Sequence, residues 1–416
     1  MTDGTTQEAI EAVWRLESTR LIAGLVRIVR DVGLAEDLAQ DALVAALQQW
    51  PTSGVPDNPG AWLMTIAKRR AVDQLRRSDR RDQIYAAMAR EQGSEMSEED
   101  FLGAVDHVED DVLRLMFVCC HPALTSEAQC TLTLKLVGGL TTREIARAYL
   151  TTEATVAQRV VRAKRTLAEA GAALEEPSKA ERAERLTAVL GVIYLLYNEG
   201  YSATAGSEWL RPALCYEALR LGRILTALAP RDPEVHGLSA LMELQSSRLA
   251  ARTAADGSPI LLLDQDRSRW DPVHIVRGLA ALDRAMMSSP DLGPYALQAA
   301  IAACHARAET AEATDWVRIA ELYEQLARLT GSPVVEVNRA VALGMAYGPE
   351  AGLELLDQLA GLPALQGYHL LPSVRGDLLA KLGRHDEAKA EFARAANMTQ
   401  NERERSLLLD RASETS

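Results

Sequence analysis

The side chains best suited to act on a partner form two clusters of positive charge, and the first follows a Pro/Gly-rich loop. Residues 58–81, NPGAWLMTIAKRRAVDQLRRSDRR, are rich in Lys and Arg and include only two acids. The cations are Lys68, Arg69, Arg70, Arg76, Arg77, Arg80 and Arg81. Such a stripe is suited to contact nucleic-acid phosphates. Trp62, just after the loop, could stack on an unpaired base, or it could be a core residue at a helix start.

The second cluster lies in residues 138–170, GGLTTREIARAYLTTEATVAQRVVRAKRTLAEA. Thr141 or Thr142 can cap a first helix, with Glu144 completing a capping box, and LTTE predicts a tight turn before a second helix that starts near Glu153. The predicted buried face of that second helix is Val156, Val160, Ala163 and Leu167. The opposite face carries Thr155, Gln158, Arg159, Arg162 and Arg165. This pattern predicts a helix-turn-helix whose second helix reads a major groove, with Lys164 reaching a phosphate; the alternative is an ordinary helical hairpin.

A third feature is an acidic helix face in GLAEDLAQDALVAALQQW, which begins at Gly33. Asp37, Gln40, Asp41 and Val44 follow helical spacing, while Leu38 belongs to the apolar positions that can face inward. An acidic patch beside an apolar stripe suits docking onto a basic partner helix. A solvated helix face is the alternative interpretation.

Helical spacing positions all three features and continues through the rest of the chain, which predicts an all-α fold. Two small helical domains, residues 1–81 and 108–174, flank a polar linker at 82–107. Residues 175–416 form a long series of further helices. In it, LLAKLGRHDEAKAEFARAA places Ala380, Gly383, Ala388, Phe392 and Ala395 as in a tetratricopeptide helix pair, so a stacked helical-repeat domain is predicted.

The motifs DLAQDALVAAL, AWLMTIAKRRAVDQLRR and LTTREIARAYLTTEATVAQRVVRAKRTL resemble, in order and spacing, regions two and four of bacterial sigma factors of the extracytoplasmic-function class. The resemblance implies that Asp37, Leu38, Gln40 and Asp41 dock on the clamp helices of the largest RNA polymerase subunit. It implies that the loop from Trp50 to Gly60 receives a flipped promoter base. Its implied minus-ten contacts are Trp62, Lys68, Arg69, Arg70, Asp73, Arg76 and Arg77. Its implied minus-thirty-five contacts are Thr155, Gln158, Arg159, Arg162, Lys164 and Arg165.

The remaining residues resemble the C-terminal part of the sigma subfamily with a tetratricopeptide-like extension, on motifs such as VIYLLYNEGYSAT and LLLDQDRSRWDP. The resemblance implies that this extension regulates activity in the same chain, in some cases alongside a small YCII-related protein. A polar group stands out in these motifs: Asn198, Glu199, Tyr201, Asp264, Asp266, Arg267, Arg269 and Trp270. It could form a ligand pocket or a buried network that holds helices together.

Composition limits the other possibilities. The net charge of −13 argues against a tight DNA binder that works without a partner, so the alternative of a free-standing helix-turn-helix regulator with a helical sensor domain is less favoured. The number and spacing of the five cysteines do not indicate a disulfide framework. The spacing of Cys119, Cys120, His121 and Cys130 fits no standard zinc site, so neither a metal nor a cofactor is expected. No motif of an enzyme is present. Neither a signal peptide nor a membrane span is expected, which predicts a cytoplasmic protein.

Overall fold

The computed structural model describes residues 3–77, 108–149, 151–172, 179–203, 205–206 and 209–414 of the 416-residue chain. These residues are almost entirely helical, which confirms the predicted fold class, and the chain divides into two compact units, residues 1–192 and 193–416. The division falls inside a helix, C-terminal to the predicted boundary at residue 175. The predicted linker at 82–107 lies outside the described residues.

The first unit is built around its N-terminal helix. Its helices are α1 (Asp3–Val29), α2 (Val32–Ser53), α3 (Pro59–Arg77), α4 (Val108–Cys119), α5 (Ser126–Leu132, continued by a π-helical turn, Thr133–Val137), α6 (Thr142–Ala148), α7 (Glu153–Glu169) and the first part of α8 (Lys179–Tyr201). Helix α1 packs against α2, α3 and α4. Leu25, Leu38, Leu63 and Leu115, one from each of these four helices, are fully buried. Their burial fixes which faces of α2 and α3 remain on the surface.

The break between α2 and α3 is shorter than the predicted loop from Trp50 to Gly60. Helix α2 continues through Pro51 to Ser53, and α3 begins at Pro59. Pro51 removes one amide hydrogen bond, but it does so in the last turn of α2, which is exposed, so the helix tolerates it. Helix α2 ends where Gly54, at φ +79°, donates its N–H to the Trp50 carbonyl at 3.0 Å. The loop that remains is residues 54–58, and it is mostly exposed.

The second unit is a succession of helices in which each packs on the next. After the end of α8 they are α9 (Pro212–Leu228), α10 (Pro233–Ser246), α11 (Pro272–Ser288), α12 (Pro294–Arg307), α13 (Trp316–Thr330), α14 (Pro333–Tyr347), α15 (Pro349–Leu359), α16 (Leu370–Lys381), α17 (His385–Met398) and α18 (Glu402–Glu414). Single 3₁₀ turns, Leu249–Ala251, Leu262–Asp264, Arg267–Arg269 and Pro363–Leu365, lie in the connections. Two-residue strands, β1 (Ala205–Gly206) and β2 (Gln400–Asn401), pair in parallel and join the two ends of this unit.

The helix pair α16–α17 has the close packing predicted for a tetratricopeptide hairpin. Ala388, Phe392 and Ala395 are fully buried. A Cβ at Gly376 would lie 2.9 Å from the Phe392 ring, so a glycine is required where the two helices meet. Gly383 makes the turn between them at φ +73°, a conformation that favours glycine. The extension is therefore a stacked helical array, as the repeat pattern predicts.

Candidate nucleic-acid interface

Helices α6 and α7 form the predicted helix-turn-helix. Thr141 is the capping residue of α6: its N–H donates to Glu144 Oε2 at 2.8 Å, and the Glu144 N–H donates to Thr141 Oγ1 at 3.1 Å. Helix α7 begins at Glu153 behind Thr152, whose hydroxyl accepts the Thr155 N–H at 3.2 Å. These local caps fix where both helices start, which the sequence spacing predicted.

The two faces of α7 are those that the sequence predicts. Val156, Val160, Ala163 and Leu167 are buried. Thr155, Gln158, Arg162 and Arg165 are exposed, and Arg159 is partly exposed. Thr155, Gln158, Arg159 and Arg162 of this face line, together with residues 123–125, 127 and 128, a cleft of about 370 Å³. An exposed row of amide, hydroxyl and guanidinium groups has the donors and acceptors that base edges require.

The arginines of α7 differ in their partners. Arg159 pairs with Glu127 at 3.0 Å, and Arg165 pairs with Glu169 at 2.7 Å within the same helix. Arg162 makes no ion pair with any residue that the structure describes. Its guanidinium is therefore the one on this face that a base can bind without breaking an existing ion pair.

Lys164 does not lie on this exposed face but pairs with an acid of α2, and its phosphate contact stays a prediction. Its Nζ lies 2.5 Å from Oε2 of Glu36 in α2, and Lys135 Nζ lies 3.8 Å from the other oxygen of that carboxylate. Glu36 is only 4% exposed. The physical reason is helical periodicity: Lys164 is four residues after Val160 and next to Ala163, so it projects toward the buried side of α7.

Further polar contacts join the N-terminal helices α1 and α2 to the segment from α4 to α7 within the first unit. The Thr19 hydroxyl donates to the Val137 carbonyl at 2.8 Å, and both residues are buried. Arg27 pairs with the buried carboxylate of Asp111 at 3.3 Å. Together with the Glu36 group, these contacts hold α1 and α2 against the segment that carries the helix-turn-helix. No feature of the sequence pattern indicated this packing.

The acidic face of α2 is on the surface. Asp37, Gln40 and Asp41 are exposed, and Val44 extends this face as an exposed apolar residue. Leu38 is 1% exposed and packs in the core beneath this face, and its implied contact with a partner stays a prediction. Asp41 is engaged by Arg70 of α3 at 3.2 Å, and Gln40 donates to Glu36 at 3.0 Å. Asp37 is therefore the acid on this face with no ion pair among the described residues.

Helix α3 presents part of the predicted basic stripe. Arg69 and Asp73 are exposed, and Arg70 is partly exposed beside Asp41. Lys68 is half-buried, and burial together with the nearby Arg27 lowers the pKa of its ammonium group. Arg76 and Arg77 belong to the last turn of α3, but their side chains, like all of Arg80 and Arg81, are outside the described part of the chain.

Trp62 packs on the core through one edge and stays partly exposed, and its stacking on a base remains a prediction. Its ring meets the buried Trp50 ring edge-on at 5.3 Å between centroids, while the residue remains half-exposed beside the loop at 54–58. An aromatic ring held at an exposed loop is positioned to stack on a base without first being ordered.

The polar group predicted in the extension is only partly assembled. Tyr201, Arg267 and Trp270 lie in one cluster with arginines that the sequence analysis did not single out, and Glu199 pairs with Arg211 beside it. Asp264 and Asp266 are exposed and do not join this cluster; Asp266 accepts the N–H and hydroxyl of Ser268 instead. Arg269 donates to the Ala250 carbonyl, and the Asn198 carbonyl accepts the Ser202 N–H.

The cysteines of the first unit are core residues. Cys119, Cys120 and Cys130 are buried, and burial raises the pKa of Cys120 to about 12 and that of Cys130 to about 11. Thiols in this state are poor nucleophiles. Within the described ranges, no three His, Cys, Asp or Glu side chains are grouped to hold a metal. No described helix is long and apolar enough to cross a membrane.

A capped helix-turn-helix, a basic helix and an acidic helix face, all in one helical unit, define a DNA-binding protein of the transcription machinery. Residues 13–81 match the family Sigma-70 region 2, and residues 114–167 match Sigma-70, region 4. Residues 185–286 match a family of unknown function, DUF6596.

Similar proteins agree with these matches. The ECF RNA polymerase sigma factor SigK of Mycobacterium sp. (strain KMS) is 30% identical over 37% of this chain and 78% of its own length. The probable ECF RNA polymerase sigma factor SigI of Mycobacterium tuberculosis (strain ATCC 25618 / H37Rv) is 26% identical over 41% of this chain and 59% of its own. An uncharacterized protein of Rhizobium meliloti (strain 1021), R00370, is 45% identical over 91% of this chain and 89% of its own. The chain belongs to the ECF RNA polymerase sigma factors, and it carries a DUF6596 extension.

Proposed function

We propose that the chain binds core RNA polymerase through the exposed face of α2 and directs it to promoters. In this proposal α7 reads the minus-thirty-five element, and α3 with Trp62 and the loop at 54–58 engages the minus-ten element. The observation that carries it is the exposed face of α7, where Gln158 and Arg162, which has no ion pair among the described residues, line a cleft. Arg and Gln are the side chains that pair with guanine and adenine edges. Base reading by α7 is equally compatible with a free-standing regulator. The dependence of promoter binding on core polymerase must therefore be measured directly.

A gel shift with and without core polymerase separates the two functions. The acidic chain, at net charge −13, is expected to bind duplex promoter DNA weakly alone and tightly when core is added. Tight, sequence-specific binding by the chain alone would instead identify a free-standing regulator.

Base reading by α7 predicts the effect of Arg162→Ala. Because a bidentate arginine contact contributes about 1–3 kcal/mol, the variant should lose that discrimination at one base pair of the upstream element. Sequencing of DNA selected from a random library by the chain with core polymerase measures it. Val161→Ala, a change at the exposed neighbouring position, is the matched control. A uniform loss over all sequences would show that Arg162 contacts phosphate instead.

We also propose that the first unit opens when it binds a promoter. Elements centred at minus ten and minus thirty-five lie about 25 base pairs, or roughly 85 Å, apart at 3.4 Å per base pair. In the structure α2 and α3 pack together, and Lys164 of α7 contacts Glu36 of α2 at 2.5 Å. Reading both elements at once therefore requires that the contacts of Glu36, Thr19 and Arg27 be broken.

Finally, we propose that the extension regulates this activity in the same chain. Two observations support the proposal: residues 193–416, which are most of the extension, form a compact unit, and R00370 is similar over both units within one chain. A chain truncated after about Ala170 should differ from the full chain in its level of transcription when both chains are bound to the same fraction of core polymerase. Equal transcription from the full and truncated chains at equal core binding would contradict it. The YCII-related partner implied by the resemblance stays a prediction.

A further inference from the structure

Three arginines converge on aromatic rings inside the second unit. The Arg252 guanidinium lies 3.5 Å from the centre of the Tyr201 ring, and that of Arg248 lies 5.8 Å from the same ring. Arg248 also lies 5.7 Å from the Trp270 ring, and Arg267 lies 4.7 Å from it. Arg248 thus stands between the other two. We refer to these three arginines as the arginine cluster.

The arginine cluster holds three positive charges, of which that of Arg252 is buried and those of Arg248 and Arg267 are partly exposed. Arg252 is 7% exposed, and burial with the neighbouring charge of Arg248 lowers its pKa. Burial and the charges of Arg248 and Arg267 lower the pKa of His305 to about 3, so this imidazole is neutral at physiological pH. Within the described ranges, no carboxylate lies within ion-pair distance of Arg248, Arg252 or Arg267. Glu312, which acts on Arg267 from farther away, is exposed.

The same unit shows how its other arginines are compensated. Arg211 pairs with Glu199, and Arg223 pairs at 2.8 Å with Glu243, which is almost fully buried. Charge removed from water normally requires such a partner, because an unpaired buried charge is strongly destabilising. The cation–π contacts to Tyr201 and Trp270 compensate only part of that cost. Among the described residues, the charge of the arginine cluster is therefore not balanced by a neighbouring carboxylate, and a bound anion would stabilise it.

The hydrogen bonds show where that negative charge would bind. Arg252 donates to the Tyr201 carbonyl at 2.6 Å, and Arg267 donates to the carbonyls of His305 and Ala308 at 2.6 and 2.7 Å. The Arg248 guanidinium makes one hydrogen bond among the described residues, from Nη2 to the Tyr201 hydroxyl at 2.7 Å. Its remaining N–H groups have no acceptor within the described ranges and can bind a ligand.

Neighbouring buried donors are unpaired as well. The indole N–H of Trp270, a residue 6% exposed, has no acceptor among the described residues, and neither has that of Trp316. Trp316 packs edge-on against His305, 5.2 Å between ring centroids, and His305 Nδ1 is also without a partner. Buried donors without an acceptor, close to a cluster of positive charge, favour the binding of an anion.

We propose that Arg248, together with the indole N–H of Trp270, binds a small oxyanion, either a phosphate or a carboxylate group. A planar guanidinium with free N–H groups suits the paired oxygens of both. The partly exposed Arg248 gives the ligand access, while Arg252 and Arg267 supply the charge behind it. The site lies wholly within the second unit and stands whether or not the chain acts as a sigma factor.

The test is a titration of the full chain at constant ionic strength with inorganic phosphate and, separately, acetate, followed by tryptophan fluorescence and by the midpoint of thermal unfolding. We expect a saturable response to at least one of them, and the stronger response assigns the ligand as a phosphate or a carboxylate compound. Arg248→Met should weaken that binding by about tenfold or more, because it removes the charged hydrogen bonds. Arg277→Met, which changes an exposed arginine of α11, should leave it unchanged.

Two results would overturn the proposal. One is a wild-type chain that gives no saturable response to phosphate or acetate beyond that to chloride, and this result decides the matter even if Arg248→Met does not fold. The other is equal affinity in the Arg248→Met and Arg277→Met chains. Because this measurement needs neither DNA nor polymerase, its failure is separate from any failure of the proposed transcription activity.

Discussion

A disulfide between Ser18→Cys and Gly139→Cys is expected to abolish promoter-directed transcription in its oxidised form and to restore it on reduction. A Cβ at residue 139 would lie 3.3 Å from Ser18 Oγ, close to the separation of about 3 Å between a Cβ and the far sulfur of a disulfide. The bridge would join α1 to the segment before the helix-turn-helix. Since the two DNA-reading regions must separate to span roughly 85 Å of promoter, a chain locked closed cannot contact both elements.

Control variants distinguish the effect of the disulfide from the effect of the two substitutions themselves. Gly139 has φ +68°, so a cysteine there is strained by about 1–2 kcal/mol, and each single-cysteine chain must be tested beside the double variant. Four of the five native cysteines are buried, so oxidation should leave the wild-type chain active. Run-off transcription with core polymerase, with and without reductant, measures the effect. Equal transcription by the oxidised and reduced double variant would show that the closed first unit is compatible with promoter reading.

Asp37→Arg is expected to weaken binding to core polymerase by roughly tenfold to a hundredfold, or about 1.4–2.8 kcal/mol. The proposed partner surface on the clamp is basic, so the reversal converts an attraction into a repulsion. Asp37 is the better choice over Asp41, because Asp41 already pairs with Arg70 and its replacement would disturb α3 as well. Sedimentation or surface-binding measurements with purified core give the affinity.

Glu184→Arg is the matched control for this prediction, since it reverses an exposed acid in α8 of the same unit. Both variants should unfold at the wild-type temperature, because neither side chain is buried. If Asp37→Arg binds core as tightly as Glu184→Arg does, α2 is not the docking helix.

Local patterns in the sequence predicted the local structures well. Thr141 with Glu144 and the spacing of Val156 to Leu167 determine the caps and the buried face of α7, because both depend on residues within a few turns of one helix. The tetratricopeptide pattern around Phe392 succeeded for the same reason. The extent of α2 was predicted less well, since a proline in a last, exposed turn costs little and does not end a helix.

Contacts between distant segments were beyond the sequence pattern. Lys164 was assigned to a phosphate by its charge, but it pairs with Glu36, which precedes it by more than a hundred residues. The acids at 264 and 266 were grouped with Arg267 by proximity in the chain, whereas Arg248 and Arg252 complete its cluster from another segment. Helical spacing determines which face a residue occupies, but not which other helix covers that face.

The proposed role of this chain is to give core RNA polymerase its promoter specificity. The most direct measurement is run-off transcription on fragmented genomic DNA of the source organism with purified core polymerase, with and without the chain, followed by sequencing of transcript 5′ ends. New start sites are expected only when the chain is present, preceded by two shared sequence elements about 25 base pairs, or roughly 85 Å, apart. The same set of start sites with and without the chain would contradict it.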